Sequence, residues 1–281
     1  MATLNSIAYV NSVVWITSLL DKEVGVTRRV VEDLEDLFHR VGMSQFHRYA
    51  PQSAAELLQI LDDLAGLARD RGLRPIIHFD THGDKEKGIR IVQTGEFVPW
   101  SELIARFRAI NSQTGNNLCV VSMACFSLHM VSKASLLEPT PWYIFAAPDE
   151  EVVAGFVEET VVPFYERVFV QRDIMQAFAD FLEPKLQLIH CEEILFSALK
   201  AYLDKGVLGK AGDARRESLL SEAKTLGLTT GRTLRQTRLM IKKQIRADEH
   251  LLMRYVKSFL MGKPVSYRMS DIKAAVEKSR R

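Results

Sequence analysis

Cysteine is scarce: three residues in a chain of 281. That is too few for a disulfide scaffold, and the odd count leaves at least one thiol free, so a reducing, cytoplasmic setting is expected. Long apolar runs are also missing. The best candidate, residues 7–20, is interrupted by Asn11, Ser12, Thr17 and Ser18. It is too short to span a bilayer, has no basic residue before it and no small-residue cleavage site after it, and so reads as a buried strand, not a signal peptide. There is no internal repeat and no low-complexity tract. With 47% apolar and 26% charged residues the composition is that of a globular protein, which excludes disorder, collagen-like repeats and a polytopic membrane protein. No membrane partner is expected.

The net charge of +2 hides an asymmetry. Residues 1–204 hold 18 Lys+Arg and 28 Asp+Glu, a net of −10, whereas residues 205–281 hold 19 and 7, a net of +12. An acidic front and a basic back suggest two regions with different partners, or regions that pair with each other.

Over the first 185 residues short apolar runs alternate with helical periodicities, the pattern of a mostly parallel sheet covered on both faces. The first strand spans about residues 7–16. A helix follows with Val30, Val31, Leu34, Leu37, Phe38 and Val41 on one stripe, and Gly42 stops it. The next helix opens with a capping box, Ser53 to Glu56. Residues 75–83 read as a strand ending in a turn, residues 89–92 as a small hairpin strand, and Pro99 and Trp100 start a third helix. Residues 118–125 form a second buried strand and residues 142–147 a third. From about Glu151 onward the pattern is helical, and Pro163 is expected to kink or split the first segment. The expected domains are therefore 1–185, α/β, and 186–281, basic and helical. A linker falls near 205–213, with helices near 214–226 and 232–262 and then a short basic tail.

Two of the strands end in reactive side chains, one at His82-Gly83 and the other at Ala124-Cys125. The chain between them contains a helix, as a right-handed parallel crossover needs. Such a crossover puts both strand ends on the carboxyl edge of the sheet, where open α/β sheets bind ligands. Histidine can take the thiol proton, and the thiolate is the attacking form. The backbone N–H groups of Gly83 and Cys125 are candidate donors to a developing oxyanion. Cys119, mid-strand, and Cys191, on a helical stripe, read as core.

This constellation resembles the caspase-like cysteine peptidases, the group that includes caspases, metacaspases, gingipain-like enzymes and bacterial CHAT proteases. The resemblance rests on His82-Gly83 after an apolar strand, then Met123-Ala124-Cys125-Phe126-Ser127 after the next, and on Phe145-Ala146-Ala147-Pro148-Asp149-Glu150 ending a third. It covers about residues 5–170. It implies a caspase-like α/β fold and an endopeptidase that needs no cofactor. Cys125 would be its nucleophile, His82 its general acid/base, and the Gly83 and Cys125 amides its oxyanion donors. It also places Ala146, Ala147, Asp149 and Glu150 at the pocket for the substrate residue before the cleaved bond. Where caspases carry an arginine to bind aspartate in that pocket, this chain has Val153, Ala154, Gly155 and Phe156, while Asp149, Glu150 and Glu151 would favour arginine or lysine. Phe126 stands where many relatives have a small or polar residue. The implied substrate is a protein, and the implied setting is bacterial defence or cell-death signalling.

Two rival readings stay open. His78, Asp80 and His82 share one face of a regular strand and could form an N/O metal site in a metal-dependent hydrolase. Alternatively, the front half is catalytically silent and the basic helices act. Arg232, Arg235, Arg238, Lys242, Lys243 and Arg246 recur at helical spacing and would bind a partner protein or, through phosphate contacts, nucleic acid.

Overall fold

A computed structural model describes residues 8–42, 45–206, 209–227, 231, 233–244 and 246–280. By density of contacts the chain divides after Cys191 into two units.

The first unit opens with β1 (Ser12–Ser18) and α1 (Val24–Arg40), followed by β2 (Phe46–Tyr49) and α2 (Ala54–Arg71). Half of the predicted capping box forms: Glu56 N–H donates to Ser53 Oγ, but the Glu56 carboxylate accepts from the N–H of Gln52, one residue before the cap. Gly72, at φ +65°, ends α2 in the left-handed conformation that favours glycine. Next come β3 (Pro75–Thr81), a small antiparallel sheet of β4 (Gly83–Asp84), β5 (Gly88–Arg90) and β6 (Phe97–Val98), then α3 (Trp100–Gln113) and β7 (Cys119–Ser122). A 3₁₀ segment (Ser127–Lys133) leads to β8 (Ile144–Ala147). The unit closes with α4 (Ala154–Gln171), α5 (Ile174–Ala177) with its π-helical continuation Phe178–Leu182, and β9 (Gln187–His190).

The main sheet runs β2-β1-β3-β7-β8-β9, parallel from β2 to β8 and with β9 antiparallel on β8. β1, β3, β7 and β8 are buried on both faces apart from Thr17, which is why they read as near-continuous apolar runs. One face packs Val14, Ile16, Ile77, Phe79, Val120 and Phe145 against α2 and α3. On the other, α1 and α4 lie together, with Phe38 edge-on to Tyr165 and Phe169.

Several sequence expectations need correction. β2 was not expected, because four half-exposed residues (Phe46–Tyr49) give no apolar run. The helical reading from Glu151 onward fails at β9, whose Gln187, Leu188 and Ile189 are not fully buried and so carry no core-strand signature. The boundary consequently moves from 185 to Cys191. α4 runs unbroken through Pro163.

The second unit contains α6 (Cys191–Gly206), α7 (Gly209–Thr225), α8 (Leu234–Gln244), α9 (Glu249–Ser258) and α10 (Met269–Ser279). Residues 207–208 of the expected linker lie outside the described residues. The helix expected over 232–262 restarts at Asp248, whose side chain caps α9 by accepting from Leu251 N–H. The expected basic tail is α10, with Met269, Ile272 and Val276 buried. Within this unit Glu192 accepts from Ser266 N–H and Oγ–H, and Tyr267 Oη–H donates to the Glu192 carbonyl.

Candidate active site

In a sheet ordered β2-β1-β3, the chain leaves β1 toward one side and β3 toward the other, and the crevice between their carboxyl ends is the topological switch point where open α/β sheets bind ligands. The residues around that crevice are Glu23, just before α1, and His82, just after β3. Cys125 follows β7, the next strand along.

The register carries the chain segments of the histidine and the cysteine out of the sheet next to each other. Phe79 lies opposite Ser122, and Met123 N–H donating to Phe79 O at 2.8 Å carries the ladder further. Three residues on from the Phe79–Ser122 pair are His82 and Cys125. The next residue, Gly83, sits so tightly on the following turn that a Cβ built there would be 2.2 Å from Cys125 O and 3.1 Å from Cys125 N. Only glycine fits.

Cys125 is half-buried, whereas Cys119 and Cys191 are fully buried. The turn that presents it is tight: Ser127 N–H returns to Ala124 O, and Phe126 is held at φ +61°. A left-handed non-glycine residue costs about 1–2 kcal/mol, and such conformations persist where the surroundings over-determine them. Here the loop following β8 does so, since Phe126 N–H reaches Glu150 O at 3.4 Å and Leu128 N–H reaches Pro148 O at 3.0 Å. Val152 N–H lies 3.5 Å from Cys125 Sγ.

His82 is anchored from the opposite side. Its Nε2 is 2.9 Å from the Glu23 carboxylate, which also accepts from Leu20 N–H at 3.0 Å. Partial burial pushes the Glu23 carboxyl up, but the hydrogen bonds from His82 and Leu20 and the charge of His82 together hold it below its ordinary value. With Nε2 on Glu23, His82 Nδ1 has no hydrogen-bond partner among the described residues. Glu23 carried no sequence signal beyond its place at the start of the helix after the first strand.

The two amides are placed differently from ordinary ladder groups. Arg90 N–H donates to His82 O at 2.9 Å, so Gly83–Ile89 is the non-hydrogen-bonded pair of the hairpin and Gly83 N–H falls outside the ladder. Among the described residues Cys125 N–H donates to no other group.

Of the residues expected at the substrate pocket, Ala146 and Ala147 are fully buried in β8, while Asp149 and Glu150 are exposed. Asp149 borders a cavity of about 350 Å³ with Leu128, His129, Ser132 and Ile189, and His129 Nε2 lies 3.6 Å from its carboxylate. Glu150 contributes the carbonyl that holds Phe126.

His78, Asp80 and His82 do not converge. His78 is fully buried, stacked on Trp15 at 3.9 Å and bonded through Nδ1 to Tyr165 Oη. Burial drives its pKa down to about 3, so the ring is neutral. Asp80 accepts from Thr27 Oγ1 at 2.5 Å. Burial pushes its pKa up to about 6, against the opposing Thr27 hydrogen bond and His82 charge. Among the described residues no group of three or more His, Cys, Asp or Glu side chains is arranged to hold a metal ion.

Of the basic stripe, Arg235, Arg238 and Arg246 are exposed, with Arg238 paired to Glu217 and Arg246 to Asp248. Arg232 and the side chains of Lys242 and Lys243 lie outside the described residues. Among the described residues no helix is long and apolar enough to cross a membrane.

No protein-family model matches this chain, and no curated protein matches its sequence.

Proposed function

We propose that the first unit is a caspase-like cysteine endopeptidase. The observation that supports this reading is the close approach of Gly83, the residue after His82, to the backbone of Cys125, the one cysteine that is not fully buried. The sheet order, with five parallel strands and an antiparallel sixth, agrees with it. In the proposed reaction His82 Nδ1 takes the thiol proton while Glu23 holds Nε2–H, fixing tautomer and ring orientation. Cys125 sulfur attacks the peptide carbonyl carbon, and the oxyanion takes the N–H groups of Gly83 and Cys125, each donor worth on the order of 10²–10³ in rate. The C–N bond breaks as His82 returns its proton to the leaving amine. Water, deprotonated by His82, then hydrolyses the thioester.

The acidic pair Asp149 and Glu150 near the nucleophile favours arginine or lysine before the cleaved bond. The test is a peptide-library cleavage profile of the wild type against Cys125→Ala, alongside iodoacetamide labelling. The expected result is cleavage absent in Cys125→Ala and labelling selective for Cys125, reduced in His82→Ala. No Cys125-dependent cleavage together with labelling indifferent to His82 would leave the silent interaction module as the better account.

A further inference from the structure

Two hydrogen bonds tie the start of α1 to the end of β3. His82 Nε2 meets the Glu23 carboxylate at 2.9 Å, and Thr27 Oγ1–H donates to the Asp80 carboxylate at 2.5 Å. Among the described residues no other hydrogen bond connects residues 20–27 with residues 78–83. The spacings match. Glu23 already has helical φ and ψ, so it lies one turn from Thr27 on the same face, about 6 Å along the helix axis. Asp80 and His82, on either side of Thr81, are about 6.6 Å apart along the strand direction. Glu23 takes the later strand residue and Thr27 the earlier one, so the two bonds close as adjacent rungs. Their surroundings differ. The Glu23 and His82 side chains are 32% and 38% exposed, where water competes for both partners and such a pair holds its geometry weakly. Thr27 and Asp80 are only 5% and 6% exposed, and breaking their bond would leave two buried polar groups unpaired.

We propose that Thr27 and Asp80 are a positioning pair: their buried bond fixes the start of α1 on β3 and so holds the Glu23 carboxylate on the ring of His82. The bonds between Glu23 and Leu20 cannot do this, because they close a turn within one segment and attach nothing to β3. The part the pair plays in catalysis rests on the peptidase reading, in which a fixed ring orientation is what proton transfer requires.

The test reads Glu23 itself, by carbon-13 NMR titration of the full chain labelled at its glutamate carboxyls, the Glu23 signal being the one lost in Glu23→Gln. Partial burial pushes that carboxyl up, but the bonds from His82 and Leu20 and the charge of His82 hold it below its ordinary value. His82→Ala should therefore raise its titration midpoint. Burial raises Asp80 to about 6, so Asp80 is already protonated where Glu23 titrates, and a change in its charge does not disturb the readout. The expected result is that Thr27→Val gives most of the rise seen in His82→Ala, and that the double variant rises no further. Thr27→Ser, which keeps the hydroxyl, stays as the wild type. Alkylation of Cys125 at neutral pH slows in Thr27→Val by up to the about tenfold expected for Glu23→Gln. Thr27→Ala takes the place of Thr27→Val if the latter folds poorly. A Glu23 midpoint unmoved by loss of the hydroxyl, an equal rise with and without His82, or Thr27→Ser behaving as Thr27→Val would each overturn the proposal. If the midpoint changes appear in a chain with no Cys125-dependent cleavage, the tie stands and the peptidase reading alone falls.

Discussion

Replacing Gly83 with alanine would set a methyl carbon 2.2 Å from the carbonyl oxygen of Cys125, where real Cβ atoms essentially never come closer than 3.0 Å. The neighbour is backbone, held by the ladder of β7 and by the hydrogen bonds of the 148–152 segment, so no side chain can swing aside. The two chains must therefore separate by about 0.8 Å or more. Overpacking of this kind costs about 1–3 kcal/mol, which lowers the melting temperature by about 2–10 °C for a chain of this size. The functional loss is larger than the loss of stability. A displacement near 1 Å between reacting groups costs about 10²-fold in rate. Two readouts separate the effects: thermal unfolding, and Cys125-dependent hydrolysis measured well below the melting temperature. A Gly83→Ala protein that keeps both its melting temperature and its hydrolysis rate would refute the close approach of the two segments, and with it the proposed pairing of His82 with Cys125.

Glu23→Gln keeps an acceptor for Leu20 but removes the charge behind His82. Alkylation of Cys125 at neutral pH should slow about tenfold with little change in melting temperature, and an unaltered rate would remove Glu23 from the site. Asp80, raised to about 6 from an ordinary 3.8 by burial, binds its proton more tightly in the folded state. Its contribution is therefore most favourable below about pH 4 and is lost as pH climbs through 6, to a total of about 3 kcal/mol. Denaturant titrations of Asp80→Asn between pH 4 and 7 should show a smaller fall in stability than the wild type over that window; parallel profiles would contradict this. Tyr165→Phe leaves Nδ1 of the fully buried His78 without its partner and should destabilise the first unit by about 1–3 kcal/mol, read as a shifted denaturant midpoint at unchanged slope.

What was legible in the sequence follows from period and punctuation. The buried strands β1, β3, β7 and β8 announce themselves because a parallel sheet covered on both faces needs apolar residues at every position. α2 does so because Ser53 and Glu56 are residues that its N-terminal end favours. Those strands and the helix between β3 and β7 were enough to place His82 and Cys125 on one edge. β2 and β9 escaped because edge strands are short and only half-covered, so their side chains obey no burial pattern. The restart of the chain at Asp248 was hidden in a helical periodicity that passes through it.

The residues alone determined which side chains could do chemistry and, through the order of strand and helix, the edge they share. Only the tertiary structure decided that Gly83 touches the Cys125 backbone and that Glu23, fifty-nine residues away along the chain, holds the histidine ring. The same is true of the separate fates of His78 and Asp80 in the interior. Those are contacts between segments distant in sequence, selected by packing and by the hydrogen bonds that buried polar groups must find, and neither propensity nor spacing along one chain carries that information.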